Sequence, residues 1–189
     1  RFGKRFAGKR TREIIALTGA RADLAPEIPV THVSSANGRD CLELITARKP
    51  DVVFLAGCRM LSKATLAAIP CPVINYHSGI NPKYRGLAGG WWARATGDHE
   101  NYGTTVHLVD AGVDTGGTLH QAFLTPHPDE TLLTDSLAMA AGSREIVVRA
   151  VQDVLDGNLQ TMTSDLPSVQ RFHPPIRTYL ASGLTERIW

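Results

Sequence analysis

The chain has 189 residues, 43% of them hydrophobic, and a formal net charge of +2 at pH 7. That length suits one domain with one sizeable core rather than two domains. The near balance of charge gives no general attraction to nucleic acid or to an anionic membrane, so we expect a small-molecule partner and no nucleic acid. No apolar run reaches the ~20 residues that a membrane-spanning helix needs.

Three scattered cysteines, Cys41, Cys58 and Cys71, lack the spacing of a disulfide framework or of a structural zinc site. Their number and placement favour a reducing, cytoplasmic setting. The first ten residues, RFGKRFAGKR, are strongly basic and lead directly into the apolar-periodic TREIIAL. Such a charge run is typical of a solvated helix face or a frayed lead-in.

Strand-like and helix-like segments then alternate, which indicates an α/β fold with a mostly parallel, twisted sheet flanked by helices. The segment 51–57, DVVFLAG, is continuously apolar, as strands buried on both faces are. Helical spacing of apolar residues from Leu133 to Val154 predicts one long helix that ends near Gly157. The other predicted elements are a strand at 29–33, a helix that Asn37 caps and Pro50 ends, a helix at 62–69, a strand at 72–75, a helix at 89–98, strands at 103–110 and 118–124, and a mostly loop-like tail after Asp165.

One predicted strand ends in INYHSGINPKYRG, with Asn75 and His77 two residues apart. Residues at this spacing on a strand point to the same side, so an amide donor and a titratable imidazole project together. Ligands bind outside the carboxyl ends of strands in such sheets, and the turn AGVDTGG adds Asp114. The three side chains can therefore meet in one cleft. An Asn or His at a strand end, however, more often only forms hydrogen bonds that hold a loop in place.

Four blocks in this order resemble the folate-dependent formyltransferases, the group that includes glycinamide ribonucleotide, methionyl-tRNA and sugar N-formyltransferases. The blocks are Asn75-x-His77, PKYRG from Pro82, GTTVH from Gly103 and VDTGG from Val113, and together the resemblance covers roughly residues 50–122. It implies a Rossmann-like formyltransferase fold, with a catalytic domain at 1–165 and a tail at 166–189 that packs on the domain or extends from it.

The resemblance also implies roles for individual residues. Asn75, His77 and Asp114 fall on the catalytic residues of the family, and CRML, Cys58 to Leu61, falls on the loop whose backbone contacts the pterin. The remaining implied contacts are His107 and Val113 for the folate and, as alternatives to solvated loop charges, Lys83 and Arg85 for the substrate.

The implied reaction transfers a formyl group from N10-formyltetrahydrofolate to an amine and needs no metal. It passes through a tetrahedral intermediate whose oxygen becomes anionic, and the Asn75 amide can donate to that oxygen. His77 is a second donor when charged and can also move protons between the amine and the folate nitrogen. Asp114 holds the charged imidazole in place.

Three departures from the family bear on the substrate. No strand with a phosphate loop precedes Arg12, SGIN stands between His77 and Pro82 in place of the usual Pro-Ser-Leu-Leu, and no second domain follows. We therefore expect a small amine such as an amino sugar, and not methionyl-tRNA or glycinamide ribonucleotide. A formyltetrahydrofolate hydrolase and a non-catalytic folate- or nucleotide-binding module remain alternatives.

The absent strand also predicts a truncated chain with an uncovered sheet edge. Either the basic N-terminal helix covers that edge or a second subunit does, as in a homodimer. Burial of Ile14, Ile15 and Leu17 against the sheet is the expected sign of the first arrangement.

Overall fold

A computed structural model describes residues 2–19 and 24–189, with the side chains of the first helix described from residue 7 onward. The helices are α1 Phe2–Thr18, α2 Arg39–Arg48, α3 Lys63–Ala68, α4 Gly89–Ala95, α5 Asp135–Gly142, α6 Arg144–Leu155 and α7 Ile176–Thr185. The strands are β1 Val53–Ala56, β2 Val73–His77, β3 Arg85–Gly86, β4 Gly103–Leu108, β5 Thr118–Phe123 and β6 Gln170–Arg171. Within the described ranges, no helix combines the length and the apolar character needed to cross a membrane.

The main sheet has the order β1-β2-β4-β5, and helices lie against it, which confirms the α/β class. Only β1 and β2 run parallel, whereas β4 is antiparallel to both β2 and β5. The expectation of a mostly parallel sheet is therefore wrong. Strands β4 and β5 are joined by the turn-rich segment 109–117 without a helix, and a parallel pair needs a crossover of a dozen or more residues.

The strand prediction at 29–33 is wrong, and the strand predicted at 51–57 forms but is not buried on both faces. The segment 29–33 forms no strand, and its residues Val30 and Val33 are exposed. Strand β1 lies at the sheet edge with Phe54 40% exposed, so it is not buried on both faces. A β-branched or apolar run becomes a buried strand only where neighbours accept its hydrogen bonds and cover both faces.

The predicted long helix is two helices, because the chain breaks at Ser143 between α5 and α6. The backbone of Ser143 leaves the helical region, with φ −126° and ψ 19°, and its hydroxyl donates to the Met139 carbonyl at 2.6 Å. Serine competes for helix carbonyls in this way and favours helix ends. The tail after Asp165 is also more ordered than expected, since it contains β6 and α7.

The core lies on both faces of the sheet. On one face α6 packs against the strands through Ile74, Val106, Leu119, Ile146, Ala150 and Val154. On the other face Leu61, Ile69 and Val73 are buried with apolar residues of α2. Burial of each large aliphatic side chain contributes about 1.5–3 kcal/mol. The two layers of helices fix β2 and β4, which carry the candidate site.

Helix α1 does not cover the sheet as expected. It packs against α5, and Ala7 and Ile14 form its buried stripe. Arg10 lies between them and pairs with the buried Glu130 at 2.7 Å. Leu17 is 80% exposed, so the predicted burial of the three apolar residues against the sheet is wrong. The helix instead closes the far side of α5.

Candidate active site

Asn75, His77 and His107 come together because β2 and β4 are adjacent and antiparallel. Asn75 lies opposite His107 in the register, and His77 lies opposite Thr105. The Asn75 Nδ2 atom is 3.2 Å from His107 Nε2 and 3.3 Å from Asp114 Oδ1. The structure therefore brings the predicted trio of Asn75, His77 and Asp114 into one cluster and adds His107 to it.

Asp114 projects from the segment 109–117 in a left-handed backbone conformation, with φ 49°. Asp is among the few non-glycine residues that adopt this conformation at low cost. Its Oδ2 atom accepts the Gly86 N–H at 2.9 Å and lies 3.5 Å from His77 Nδ1. Its Oδ1 atom is 3.2 Å from His107 Nε2. The carboxylate thus lies between the two imidazoles.

Burial alone would raise the pKa of the Asp114 carboxyl. The hydrogen bond from His107, the nearby His77 and the Gly86 N–H outweigh burial, and the pKa lies below its ordinary value. Asp114 is therefore ionised at neutral pH and supplies a fixed negative charge.

His77 has a defined tautomer because each ring nitrogen faces a different group. The Nε2 atom lies 2.6 Å from the Tyr84 carbonyl oxygen, which can only accept, so Nε2 carries a proton. Burial of His77 lowers the pKa of the imidazole more than Asp114 and the Tyr84 carbonyl raise it. The neutral ring is thus favoured, with the Nδ1 lone pair directed towards Asp114.

His107 lies in the cleft as expected, and its two nitrogens link it to the trio. The Nδ1 atom lies 2.7 Å from the Leu108 carbonyl oxygen and donates to it. In a neutral ring Nε2 then accepts from Asn75, whereas in a doubly protonated ring it donates to Asp114. The Asn75 amide therefore lies within hydrogen-bond distance of both His107 and Asp114.

The loop Cys58 to Leu61 forms another wall of the same cleft, which has a volume of about 820 Å³. Cys58, Arg59 and Met60 are exposed, and Leu61 anchors the loop in the core. Within the described ranges, the backbone groups of Cys58 and Arg59 make no hydrogen bond to the protein. Backbone donors and acceptors are thus free along this wall.

Asn37 holds this loop, a role that the sequence did not reveal. Gly38, not Asn37, is the residue at the N-terminal cap of α2. The Asn37 amide instead donates to the Met60 carbonyl at 3.0 Å and accepts the Ser62 N–H at 2.7 Å. An Asn just before a helix is ordinarily interpreted as the helix cap. No local sequence pattern shows that Asn37 instead contacts a loop 23 residues further along the chain.

The two basic side chains predicted to bind substrate both contact other parts of the protein. Lys83 pairs with Asp98 at 2.6 Å, and Arg85 donates to the Val113 carbonyl at 2.8 Å. Neither is among the residues that line the cleft, whereas Val113 is. Arg85 thereby holds the segment that carries Asp114. Substrate contact by Lys83 and Arg85 stays a prediction.

Gly79 and strand β6 contribute features that the motifs did not indicate. A Cβ atom on Gly79 would lie 2.6 Å from His77 Nε2, so only glycine leaves room for this ring. Strand β6 pairs with β3 and lines the cleft, although it lies some 85 residues further along the chain. Short strands such as these carry too little sequence pattern to be predicted.

A larger cavity of about 1840 Å³ lies between α1, the end of α4 and the end of α7. It contains none of the trio. The smaller cleft is the better candidate because Asn75, His77, His107 and Asp114 all line it.

The fold and the site define an α/β protein in which an Asn and a His of one strand meet an Asp from the segment that follows the neighbouring strand. The family model described as "Formyl transferase" matches residues 12–151, which is most of the chain. The chain belongs to the formyl transferase family. The family fold predicted from the sequence is thereby confirmed.

Curated relatives include a methionyl-tRNA formyltransferase of Desulfotalea psychrophila, 32% identical over 139 residues, which are 73% of this chain and 43% of the relative. The chain thus spans less than half the length of that relative. Solved structures with a similar fold include a sugar N-formyltransferase from a Shewanella species, with TM-score 0.60 and 19% identity over 72% of this chain and 54% of that one. Glycinamide ribonucleotide transformylase 1 from Symbiobacterium toebii matches with TM-score 0.58 and 27% identity, over 70% of this chain and 62% of that one.

Proposed function

We propose that this chain transfers the formyl group of N10-formyltetrahydrofolate to the amine of a small molecule, with an amino sugar as the first acceptor to test. The observation that carries the proposal is the cluster of Asn75, a neutral His77 and an ionised Asp114 at the floor of one cleft. The family membership supports the same chemistry.

In the proposed reaction the amine nitrogen attacks the formyl carbon, and the carbonyl oxygen takes up the displaced electron pair. Asn75 donates an N–H to this oxygen, a contact of a kind worth ~2.7–4 kcal/mol. His77 Nδ1 accepts the proton that the amine loses, and the nearby Asp114 carboxylate stabilises the imidazolium. When the bond to the folate nitrogen breaks, His77 returns the proton to that nitrogen, and the products are the N-formyl amine and tetrahydrofolate.

The wall formed by Cys58 to Leu61 suits the folate. A pterin ring presents several hydrogen-bond donors and acceptors at one edge, and the unpaired backbone groups of Cys58 and Arg59 can meet them. Gly57 has φ 62° and nothing within 4 Å of its Cβ position, so the loop turns sharply while leaving open space beside it.

Methionyl-tRNA is a second candidate acceptor, because curated relatives such as the one from Desulfotalea psychrophila are methionyl-tRNA formyltransferases at about a third identity. The chain has nearly balanced charge, with 20 basic and 18 acidic side chains. A tRNA acceptor ordinarily needs a basic surface, so balanced charge supports the small amine. A cytoplasmic location and a homodimer stay predictions.

The deciding experiment mixes the chain with N10-formyltetrahydrofolate and measures free tetrahydrofolate and formate. Separate reactions contain nucleotide-linked amino sugars, methionyl-tRNA or no amine. We expect tetrahydrofolate to appear without formate and only when an amino sugar is present. Formate released without an amine would identify a hydrolase, and folate binding without turnover in every reaction would identify a binding module.

A further inference from the structure

We propose that Asn81 is a positioning residue that fixes the Asp114 carboxylate beside His77. This inference rests on the proposed function, because it concerns the same site. Asn81 lies in the segment SGIN, where this chain differs from the formyltransferases that it resembles. It is 3% exposed, and its peptide bond with Pro82 is cis.

The side chain of Asn81 acts on the backbone of Asp114. Its Nδ2 atom donates to the Asp114 carbonyl oxygen at 3.1 Å, and Arg85 donates to the preceding carbonyl, that of Val113, at 2.8 Å. Two consecutive carbonyls are thus held by the segment that follows β2. These contacts restrain the left-handed backbone of Asp114, and the Gly86 N–H holds the carboxylate itself, so both act on its direction.

Asn81 can hold Asp114 because its own backbone is fixed by the sheet. The Asn81 N–H donates to Thr105 Oγ1 at 3.0 Å, and its carbonyl accepts from Gln121 Nε2 at 2.8 Å. Thr105 Oγ1 in turn donates to the Gly79 carbonyl at 2.8 Å. The path from the sheet to the catalytic carboxylate therefore runs from β4 and β5 through Asn81 to Asp114.

The amide orientation of Asn81 leaves its Oδ1 atom buried without a partner. Turning the amide would place Oδ1 against the Asp114 carbonyl, where two acceptors would repel each other. An unsatisfied buried oxygen is costly, and an isosteric leucine would remove that cost. Within the described chain, the one hydrogen bond that the Asn81 side chain makes is thus the bond to the Asp114 carbonyl.

The test replaces Asn81 with leucine, which has the same branched shape and no donor. The readout is the imidazole titration of His77, followed by NMR and assigned from the signal that His77→Gln loses. The charged or titratable groups that face His77 are Asp114 and His107. If Asn81 holds Asp114 in place, Asn81→Leu moves the carboxylate away and the titration midpoint of His77 falls by about half a pH unit, part of the effect of a nearby charge.

Thr104→Val is the matched control. Thr104 precedes Thr105 in β4, is fully buried, and its hydroxyl has no hydrogen-bond partner in the part of the chain that the structure describes. This substitution should leave the His77 midpoint unchanged. In the transfer assay, Asn81→Leu should lower kcat about tenfold at constant KM for the formyl donor and move the acidic limb of the pH profile to lower pH. Thermal unfolding should stay close to that of the unsubstituted chain.

An unchanged His77 midpoint in folded Asn81→Leu would overturn the positioning role, whether or not transfer is observed. A shifted midpoint in a chain that transfers no formyl group would support the positioning role and refute the proposed function. Asn81→Ala provides a second variant, because it removes the donor to the Asp114 carbonyl and adds no charge. It should lower the midpoint in the same direction, and an unchanged midpoint in both folded variants would contradict the proposal.

Discussion

His77 lies between the Tyr84 carbonyl and the Asp114 carboxylate, and these neighbours determine what it can do with a proton. Its Nε2–H is committed to Tyr84, so only Nδ1 can receive the proton of an attacking amine. The sequence suggested a charged donor as well as a proton carrier. The lowered pKa of the buried ring favours the proton carrier at neutral pH.

The first prediction concerns the pH dependence of kcat. In the proposed reaction the neutral His77 is the active form, and its pKa lies below the ordinary value of about 6.5. Turnover should therefore persist below pH 6.5 and fall as the pH drops through the lowered pKa. His77→Ala should lose about 10²-fold or more in kcat and lose this acidic limb. Steady-state kinetics across pH 4.5–8, in buffers that contain no amine able to accept the formyl group, would check the acidic limb. Full turnover by His77→Ala would contradict the role proposed for His77.

The second prediction concerns Gly79, whose missing Cβ makes room for the His77 ring. Gly79→Ala places a methyl group against Nε2 and the Tyr84 carbonyl, and breaks the bond that fixes the tautomer. A displacement of about 1 Å in a catalytic group can cost ~10²-fold, and we expect a loss of that order in kcat.

Gly8→Ala is the control for that substitution, because a Cβ there meets only an Arg12 atom at 3.8 Å inside helix α1. It should leave kcat unchanged and stabilise the chain by about 0.5–1 kcal/mol, as alanine does in a helix interior. Equal kinetics for the two alanine variants would show that the ring needs no such space.

At the scale of elements, the start of α5 is tied to α4 by a buried ion pair. Arg94 Nη1 lies 3.2 Å from Asp135 Oδ2, and Tyr102 donates to Asp135 Oδ1 at 3.0 Å. Burial raises the pKa of Asp135 to about 6 despite the charge of Arg94.

The third prediction follows from that pair. Arg94→Leu leaves the Asp135 carboxylate buried without a cation, which should cost about 3–5 kcal/mol of unfolding free energy at pH 8. The raised pKa means that stability from this carboxyl is present at low pH and lost as pH rises through 6, so the cost should shrink at pH 5. Urea unfolding at both pH values measures it. Arg39→Leu, which breaks the exposed pair with Glu43, should have little effect at either pH.

The fourth prediction concerns the β3–β6 ladder. The Val169 N–H donates to the Pro82 carbonyl, and Leu87 donates to the Arg171 carbonyl, so β6 holds Gly86 where its N–H meets Asp114. Val169→Pro removes one of these donors and should lower kcat by about tenfold, an estimate from the cost of one hydrogen bond to an ordered site. Ser168→Pro is the control, because the Ser168 N–H bonds to nothing in the described chain. Equal activity of the two proline variants would show that the β3–β6 ladder does not support the site.

Local pattern predicted those elements that are amphipathic or apolar over several residues, such as β2, β4, β5 and α3. It also predicted that Asn75 and His77 share a side of β2, because strand alternation depends on two neighbouring residues alone. Strand pairing was not predictable, since the direction of β4 depends on the length of the segment 78–102 and on packing. The contacts of Asn37 and Asn81 likewise depend on residues far away in the chain.

At the scale of the whole molecule, the described chain places the loop Cys58 to Leu61, the trio and β6 around one cleft. The fifth prediction tests that cleft without turnover. Saturation with 5-formyltetrahydrofolate, a stable analogue, at 100 times its Kd should stabilise the chain by about 2.7 kcal/mol. Differential scanning calorimetry would record the rise in Tm.

A glycine inserted between Arg59 and Met60 should abolish this rise, because it redirects the backbone groups of the loop. The control inserts a glycine after Gly157, which turns in open space at the end of α6. An unchanged ligand effect in the loop variant would place the folate elsewhere.

The pairing of β3 with β6 also determines when the site can form during synthesis. Arg85 and Gln170 are neighbours in the ladder although nearly half of the chain separates them. A ribosome releases the N-terminal part first, so Asn75, His77 and Asp114 emerge well before the strand that fixes Gly86. A contact that closes so long a loop forms late in folding. The nascent chain therefore carries all three side chains of the candidate site before β6 can hold Gly86 against Asp114.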